Sequence, residues 1–325
     1  MPVFAFLAVL VVMDSFKLVK LKEILLTIFA GMLVAFAALL INTLLLNYLF
    51  ADVHFFSRYL APLIEELLKA LFVVYLMRSN KVGFMVDSAI YGFAVGAGFA
   101  FVENIYYLSS LESANLFLWV VRGFGTAVMH GGTTAIFAIV SKTLLDRQSA
   151  FPLHLFLPGL GIAIAIHSFF NHFLLPPLVM TMMQIVVLSL LSYAIFNRSE
   201  NALRDWMNIG LDTDVQILEE LQSGRFSETP AGQYLLTLKK RFPGELVVDM
   251  VCLLRLHMEL ACQAKGILLM REAGFNAPID PEIKEKFTEL EYLQNSIGKT
   301  GQLAISPVLD ISSRDLWQFY LLKKQ

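Results

Sequence analysis

Residues 24–47 read ILLTIFAGMLVAFAALLINTLLLN, a stretch without a single charged side chain. At about 1.5 Å per residue, a helix over it is roughly 36 Å long, enough to cross the roughly 30 Å hydrocarbon core of a bilayer. Unpaired backbone groups are costly in hydrocarbon, so a helix is the form such a stretch takes there. Further apolar stretches lie at roughly 2–13, 59–77, 85–107, 116–141, 155–174 and 178–196. The pattern predicts an all-α, polytopic membrane helix bundle of about seven spans. The first stretch is short, but it lacks the basic n-region and small-residue cleavage site of a signal peptide. It is read as a thin first span.

The charges are unevenly placed. Of 325 residues, 57% are hydrophobic and 16% charged, where a soluble domain carries about 25% charged residues. Residues 1–197 hold 10 Lys/Arg and 9 Asp/Glu, whereas the shorter 198–325 holds 15 and 18. This predicts a transmembrane domain over 1–197 and a soluble helical domain over 198–325. Prolines 230, 243, 278 and 281 and glycines 224, 244 and 274 punctuate the second part, and Glu245 to Arg271 has the apolar spacing of one long helix. No catalytic motif, strand pattern or repeat occurs there, which fits a docking or regulatory bundle with a cytoplasmic partner. Cys252 and Cys262 fall ten residues apart on that helix, about 15 Å at the helical rise and too far for a disulfide. They read as reduced core residues of a cytosolic tail. A net charge of −2 offers no basic patch, so no nucleic-acid partner is expected.

Orientation follows from the connections. Lys17, Lys20 and Lys22, then Arg78 and Lys81, then Lys142 and Arg147, then Arg198 all fall on one side of a seven-span path, while the alternate loops carry only Arg58. Cationic loops stay in the cytoplasm. The expected placement is the inner (plasma) membrane, multi-pass, with the N-terminus outside and the C-terminal domain cytoplasmic.

Ionisable side chains inside spans cost several kcal/mol at mid-bilayer and mark functional sites. Span three carries Glu65, Glu66 and Lys69; span four carries Asp87, Glu103 and Asn104; span five carries Arg122 and His130; span six carries His167 and Asn171, with His172 near its end. On the seven-span path, the two glutamates of span three, Glu103, His130, His167 and Asn171 share the middle-to-outer half of the bilayer. His167 and Asn171 are i, i+4 and share a face. Gly92, Gly96, Phe99 and Glu103 share another, where small residues allow close packing. Lys69 is i+4 from Glu65 and i+3 from Glu66, placed to neutralise one of them. Asp87 reads as an interfacial anchor near Lys81, and His172 as a structural residue at the interface.

Carboxylates and imidazoles in one layer suit peptide hydrolysis. A carboxylate can be the base, imidazole and amide N–H groups can hold an oxyanion, and a metal on Glu and His would instead activate water by lowering its pKa. There is no His-Glu-x-x-His zinc motif and no Gly-x-Ser-x-Gly nucleophile elbow. Asp87 is the one aspartate deep in the bundle region, so there is no aspartyl pair. The motifs resemble those of the PrsW family of intramembrane proteases, related to the Abi/CAAX prenyl protease group. Glu65-Glu66-Leu67-Leu68-Lys69 is similar to Glu-Glu-x-x-Lys. Phe99 to Glu103, followed by Asn104, is similar to Phe-x-x-x-Glu. Arg122 with His130, then His167-Ser168-Phe169-Phe170-Asn171, complete the order over residues 1–197.

The resemblance implies a peptidase in which a glutamate of the Glu65-Glu66 pair activates water. Glu103 assists as acid or second base, His167 and Asn171 stabilise the oxyanion, and His130 completes the site. Lys69, Arg122 and Asn104 support it. It implies either no cofactor, as in the glutamic-type relatives, or zinc on Glu65, Glu66, Glu103, His130 and His167, as in a metallopeptidase; a paired Lys69 weighs against a cation. It also implies a single-pass, membrane-anchored regulatory substrate such as an anti-sigma factor, cut near the outer face. The competing classes are a proton- or ion-coupled transporter, which would show an internal repeat and a polar path to both faces, and a non-catalytic scaffold of the same fold. No repeat relates spans one to three with four to six.

Overall fold

The computed structural model describes residues 2–14, 16, 18–49, 52–109, 120–146, 151–275, 280–309 and 313–323, and these contain helices and no strand. Lys17, Arg147, Pro278 and residues 110–119, which enter the orientation, punctuation and span-five readings, lie outside the described residues. The chain forms two compact units, residues 1–200 and 201–325.

In the first unit, α1 is Pro2–Val12, α2 Leu21–Tyr48, α3 Ala61–Arg78, α4 Met85–Ser109, α5 Ala127–Leu145 and α6 Leu157–Asn171. A π-helical turn, Phe56–Leu60, leads into α3, another, Val121–Thr126, into α5, and a 3₁₀ turn, Leu153–Phe156, into α6. Helix α7, Pro177–Gln222, contains the boundary between the units. Five helical stretches are long and apolar enough to cross a membrane: α2, α4, Val121–Leu145, Leu153–Asn171 and α7. The protein is therefore a multi-pass helical membrane protein in a lipid bilayer. Of the other two expected spans, α1 has only 11 residues. Helix α3 is interrupted by Glu65, Glu66, Lys69 and Arg78, so the charges that make it chemically interesting also lower its hydropathy.

Helix α4 is the centre of this unit. Its apolar window is 83% buried, against 17% for α7, whose apolar surface is left to lipid. Two glycines explain the central position. A Cβ on Gly98 would overlap the carbonyl oxygen of Ile28 on α2, and one on Gly96 would overlap the carbonyl oxygen of His130 on α5. Small residues let helix backbones approach this closely, and here they seat α2 and α5 on either side of α4. Asp87 is buried within the protein: its Oδ2 accepts from the backbone N–H of Gly83 and Phe84, at 2.8 and 3.2 Å, where α4 begins. A carboxylate there satisfies donors that no helical carbonyl reaches.

The sequence predicts that span seven stops near residue 196, yet α7 runs on to Gln222. Charge composition changes at residue 198, but helix propensity does not: the helix runs on through Gly210 and stops short of Gly224, which takes a positive φ of 77°. The second unit continues with α8, Pro230–Leu238; α9, Gly244–Glu272; α10, Ile283–Leu309; and α11, Ser313–Lys323. The long helix expected over Glu245–Arg271 is α9. Its apolar stripe packs with α10 around Leu254, Leu260, Phe287 and Leu290. Both cysteines lie on α9 as free thiols, but they are not core residues: Cys252 is exposed and Cys262 half-buried, because both fall beside the apolar stripe of the helix rather than on it.

Candidate active site

Three glutamates, two histidines and a lysine from α3, α4, α5 and α6 meet in the interior of the first unit. Glu66 is the hub. Its Oε1 lies 2.8 Å from Lys69 Nζ and accepts from His167 Nδ1 at 2.8 Å and from Thr133 Oγ1 at 3.3 Å. Lys69 is fully buried, with its ammonium 4.1 Å from the Phe99 ring centroid. That ammonium also donates to His130 Nδ1 at 2.7 Å. Since a lysine ammonium only donates, His130 Nδ1 is the acceptor, and the ring carries its proton on Nε2. His130 Nε2 accordingly donates to Glu103 Oε2 at 2.8 Å. Arg122 lies 3.4 Å from the same oxygen, and its Nε donates to Asn104 Oδ1. Its guanidinium sits 4.2 Å from the Tyr107 ring.

Charge counting singles out one residue. Glu66 has Lys69 and Glu103 has Arg122, whereas Glu65, although buried, has no fixed cation in contact among the described residues. Its Oε1 accepts from Asn42 Nδ2 at 3.1 Å, and its Oε2 has no hydrogen-bond partner. Facing that oxygen at 3.9 Å is His167 Nε2. Because His167 donates from Nδ1 to Glu66, the neutral ring presents a bare lone pair at Nε2. Two acceptors thus face each other with no donor between them. A buried unpaired acceptor costs about 1–3 kcal/mol, so this gap is built for a group that binds both.

A water suits it, and so does a metal. One ligand atom each from Glu65, His130 and His167 lie within 4.8 Å of one another, all three residues being buried. Oxygen and imidazole nitrogen are the donors zinc takes. Glu65 Oε2 and His167 Nε2 are free to ligate, while His130 must first lose Lys69 from Nδ1 or Glu103 from Nε2. Glu66 and Glu103 already balance cations and sit in the shell that orients the ligands.

The other expected site residues have separate places. Asn104 and Arg122 tie α4 to the π-helical turn before α5, through Asn104 Nδ2 to the Arg122 carbonyl at 3.1 Å as well. Asn171 is not brought into the cluster: its amide donates to the Ser57 carbonyl at 2.9 Å. His172 donates from Nδ1 to the Ser168 carbonyl and accepts from the Tyr59 hydroxyl at Nε2. Two participants escaped the motif reading. Asn42 was detectable as an amide within an apolar span, which is expensive without a partner. Thr133 follows His130 by three residues, one helical turn, and so shares its face.

A bundle of membrane-crossing helices that gathers buried carboxylates and imidazoles, with Glu65 Oε2 facing His167 Nε2, is the architecture of a membrane-embedded hydrolase. A family model described as "PrsW family intramembrane metalloprotease" matches residues 20–196, and the chain belongs to that family of intramembrane peptidases. No curated protein and no solved structure gives a significant match.

Proposed function

We propose that this protein hydrolyses a peptide bond of a single-pass, membrane-anchored regulatory protein, of the anti-sigma-factor kind, near the outer face of a bacterial inner membrane. Support comes chiefly from the two facing acceptors, Glu65 Oε2 and His167 Nε2. A water that donates one hydrogen to each turns its lone pairs toward a substrate carbonyl. On attack, Glu65 Oε2 takes the proton and later returns it to the leaving amine. The water's second proton stays on the attacking oxygen, which keeps donating to His167 Nε2 as the new bond forms. Glu66 holds His167 in the required tautomer, and the chain Lys69–His130–Glu103–Arg122 keeps Glu66 and the rings in place. Bound at Glu65, His167 and His130, a zinc ion would supply the same activation by lowering the pKa of its water.

The same reading takes α1 and α3 as spans one and three, which completes a count of seven, with the N-terminus outside and residues 198–325 a cytoplasmic helical domain that docks a partner. Positive charge at Lys20, Lys22, Arg78, Lys81 and Lys142 supports that orientation. Transport is less well supported, since Asp87, the buried acid at the opposite end of α4 from Glu103, is occupied in capping that helix.

The experiment is a membrane proteome compared between cells with wild type and cells with Glu65→Gln. We expect one or a few single-pass proteins to lose their ectodomains only with wild type. Identical proteomes, with both proteins present in the membrane, would defeat the proposal.

A further inference from the structure

Helix α2 carries none of the four motifs, yet it places an amide at the site. Asn42 Nδ2 donates to Glu65 Oε1. A carboxylate only accepts, so this bond fixes which way the amide lies, with Nδ2 on Glu65 and Oδ1 directed elsewhere. That Oδ1 is buried and has no hydrogen-bond partner. Asn42 also lines a cavity of about 190 Å³ whose wall contains both Glu65 and Glu103. The remaining wall is mainly apolar and partly of small residues, with Ala35 and Ala38 from α2 opposite Phe99 and Val102 from α4.

A membrane helix conceals its peptide bonds in its own hydrogen bonds. To be cut, a substrate segment must unwind, and each freed backbone N–H then needs an acceptor where water is scarce. The cavity offers one: a buried carbonyl oxygen without a donor, on the residue that already holds the carboxylate next to the reaction position.

We propose that Asn42 is both a positioning residue and a substrate-binding residue. Its Nδ2 holds Glu65 so that Oε2 faces the reacting water, and its Oδ1 accepts a backbone N–H from a locally unwound, apolar substrate segment lying in the cavity. This rests on the hydrolytic role of Glu65. It makes α2 part of the substrate site and predicts apolar side chains beside the scissile bond.

The test uses the full chain in liposomes with a single-pass reporter whose cleavage region is scanned with proline, which removes one backbone N–H at a time. Wild type, Glu65→Gln, Asn42→Leu and Asn42→Asp are compared. Asn42→Leu loses both contacts, so kcat falls and KM rises, each by roughly tenfold for one hydrogen bond. Asn42→Asp keeps an acceptor but loses the donor, so kcat falls while KM stays near wild type. One proline position raises KM in wild type and in Asn42→Asp but not in Asn42→Leu. If Asn42→Leu does not fold, Asn42→Ala takes its place. Wild-type kcat and KM in the Leu or Ala variant, or a proline penalty that persists in it, overturns the proposal. If Glu65→Gln is inactive in that case, the hydrolytic role of Glu65 stands alone. If Glu65→Gln cleaves normally, both fall.

Discussion

Both units bury a lysine against a carboxylate, and the two burials serve different ends. In the second unit, Lys265 Nζ reaches Asp214 Oδ2 at 2.5 Å and lies 5.0 Å from the Trp206 ring. Neither side chain contributes to the buried atoms left without a partner. In the first unit, Lys69 and Glu66 make a similar pair, but it is embedded in a chain of rings and acids that ends in two unmatched acceptors. A buried ion pair is thus no sign of a site. What distinguishes one is a polar inventory that does not close: three carboxylates against two fixed cations, and a lone pair facing a lone pair.

The sharpest way to break this contrast is to remove one carboxylate from each unit. Glu65→Gln should lower reporter cleavage by about 10³-fold or more, the scale of a lost general base with its electrostatics, while the thermal midpoint in detergent stays put. Asp214→Asn should do the reverse. It leaves Lys265 buried without its charge partner, at a cost of several kcal/mol to its own unit, and cleavage by the folded fraction continues. Lys69→Met tests the structural half of the first cluster. Glu66 then has no cation in the membrane interior, and we expect a loss of about 3–5 kcal/mol in unfolding experiments.

A smaller effect is expected from Gly98→Ala, where a methyl group meets the Ile28 carbonyl and pushes α2 from α4. Overpacking of this kind costs about 1–3 kcal/mol, and it should lower kcat as Asn42 withdraws from Glu65. Asn171→Ala loses one amide contact with the Ser57 carbonyl, so its thermal midpoint should drop slightly, with kcat within about threefold of wild type. The smallest effect is in the tail. Burial, reinforced by Asp214, pushes the Cys262 thiol up to about 11, whereas Cys252 is exposed. Thiolate is the reactive form, so maleimide at pH 8 should label Cys252 first. Cys262 should respond only as pH rises toward 11.

Much of this was legible in the sequence. The apolar stretches announced membrane helices, and the order Glu65-Glu66, Glu103, His130, His167 announced the family, because charges inside such stretches have few other reasons to be there. Helix α9 was legible to within a residue, since its flanking Pro243 and Gly274 are breakers on any scale. What stayed hidden was the partnering. Lys69 can reach either glutamate by spacing, and only the approach of His167 and Thr133 from other helices decides for Glu66. Asn171 shares a helical face with His167, but α6 ends at that residue, where Ser57 offers a carbonyl. Asn42 lies 23 residues from Glu65 in a helix with no motif, so no local pattern could have paired them. The run of α7 past residue 198 was missed for a different reason. Composition marks where a chain meets water, and helices end where backbone geometry or a breaker ends them.

The most direct test is a high-resolution map of the protein in a lipid nanodisc, inspected between Glu65 and His167. The account predicts density for a water or a metal ion within bonding distance of both Glu65 Oε2 and His167 Nε2, open to the cavity lined by Asn42. Side chains turned apart, or closed onto each other with nothing between them, would contradict it.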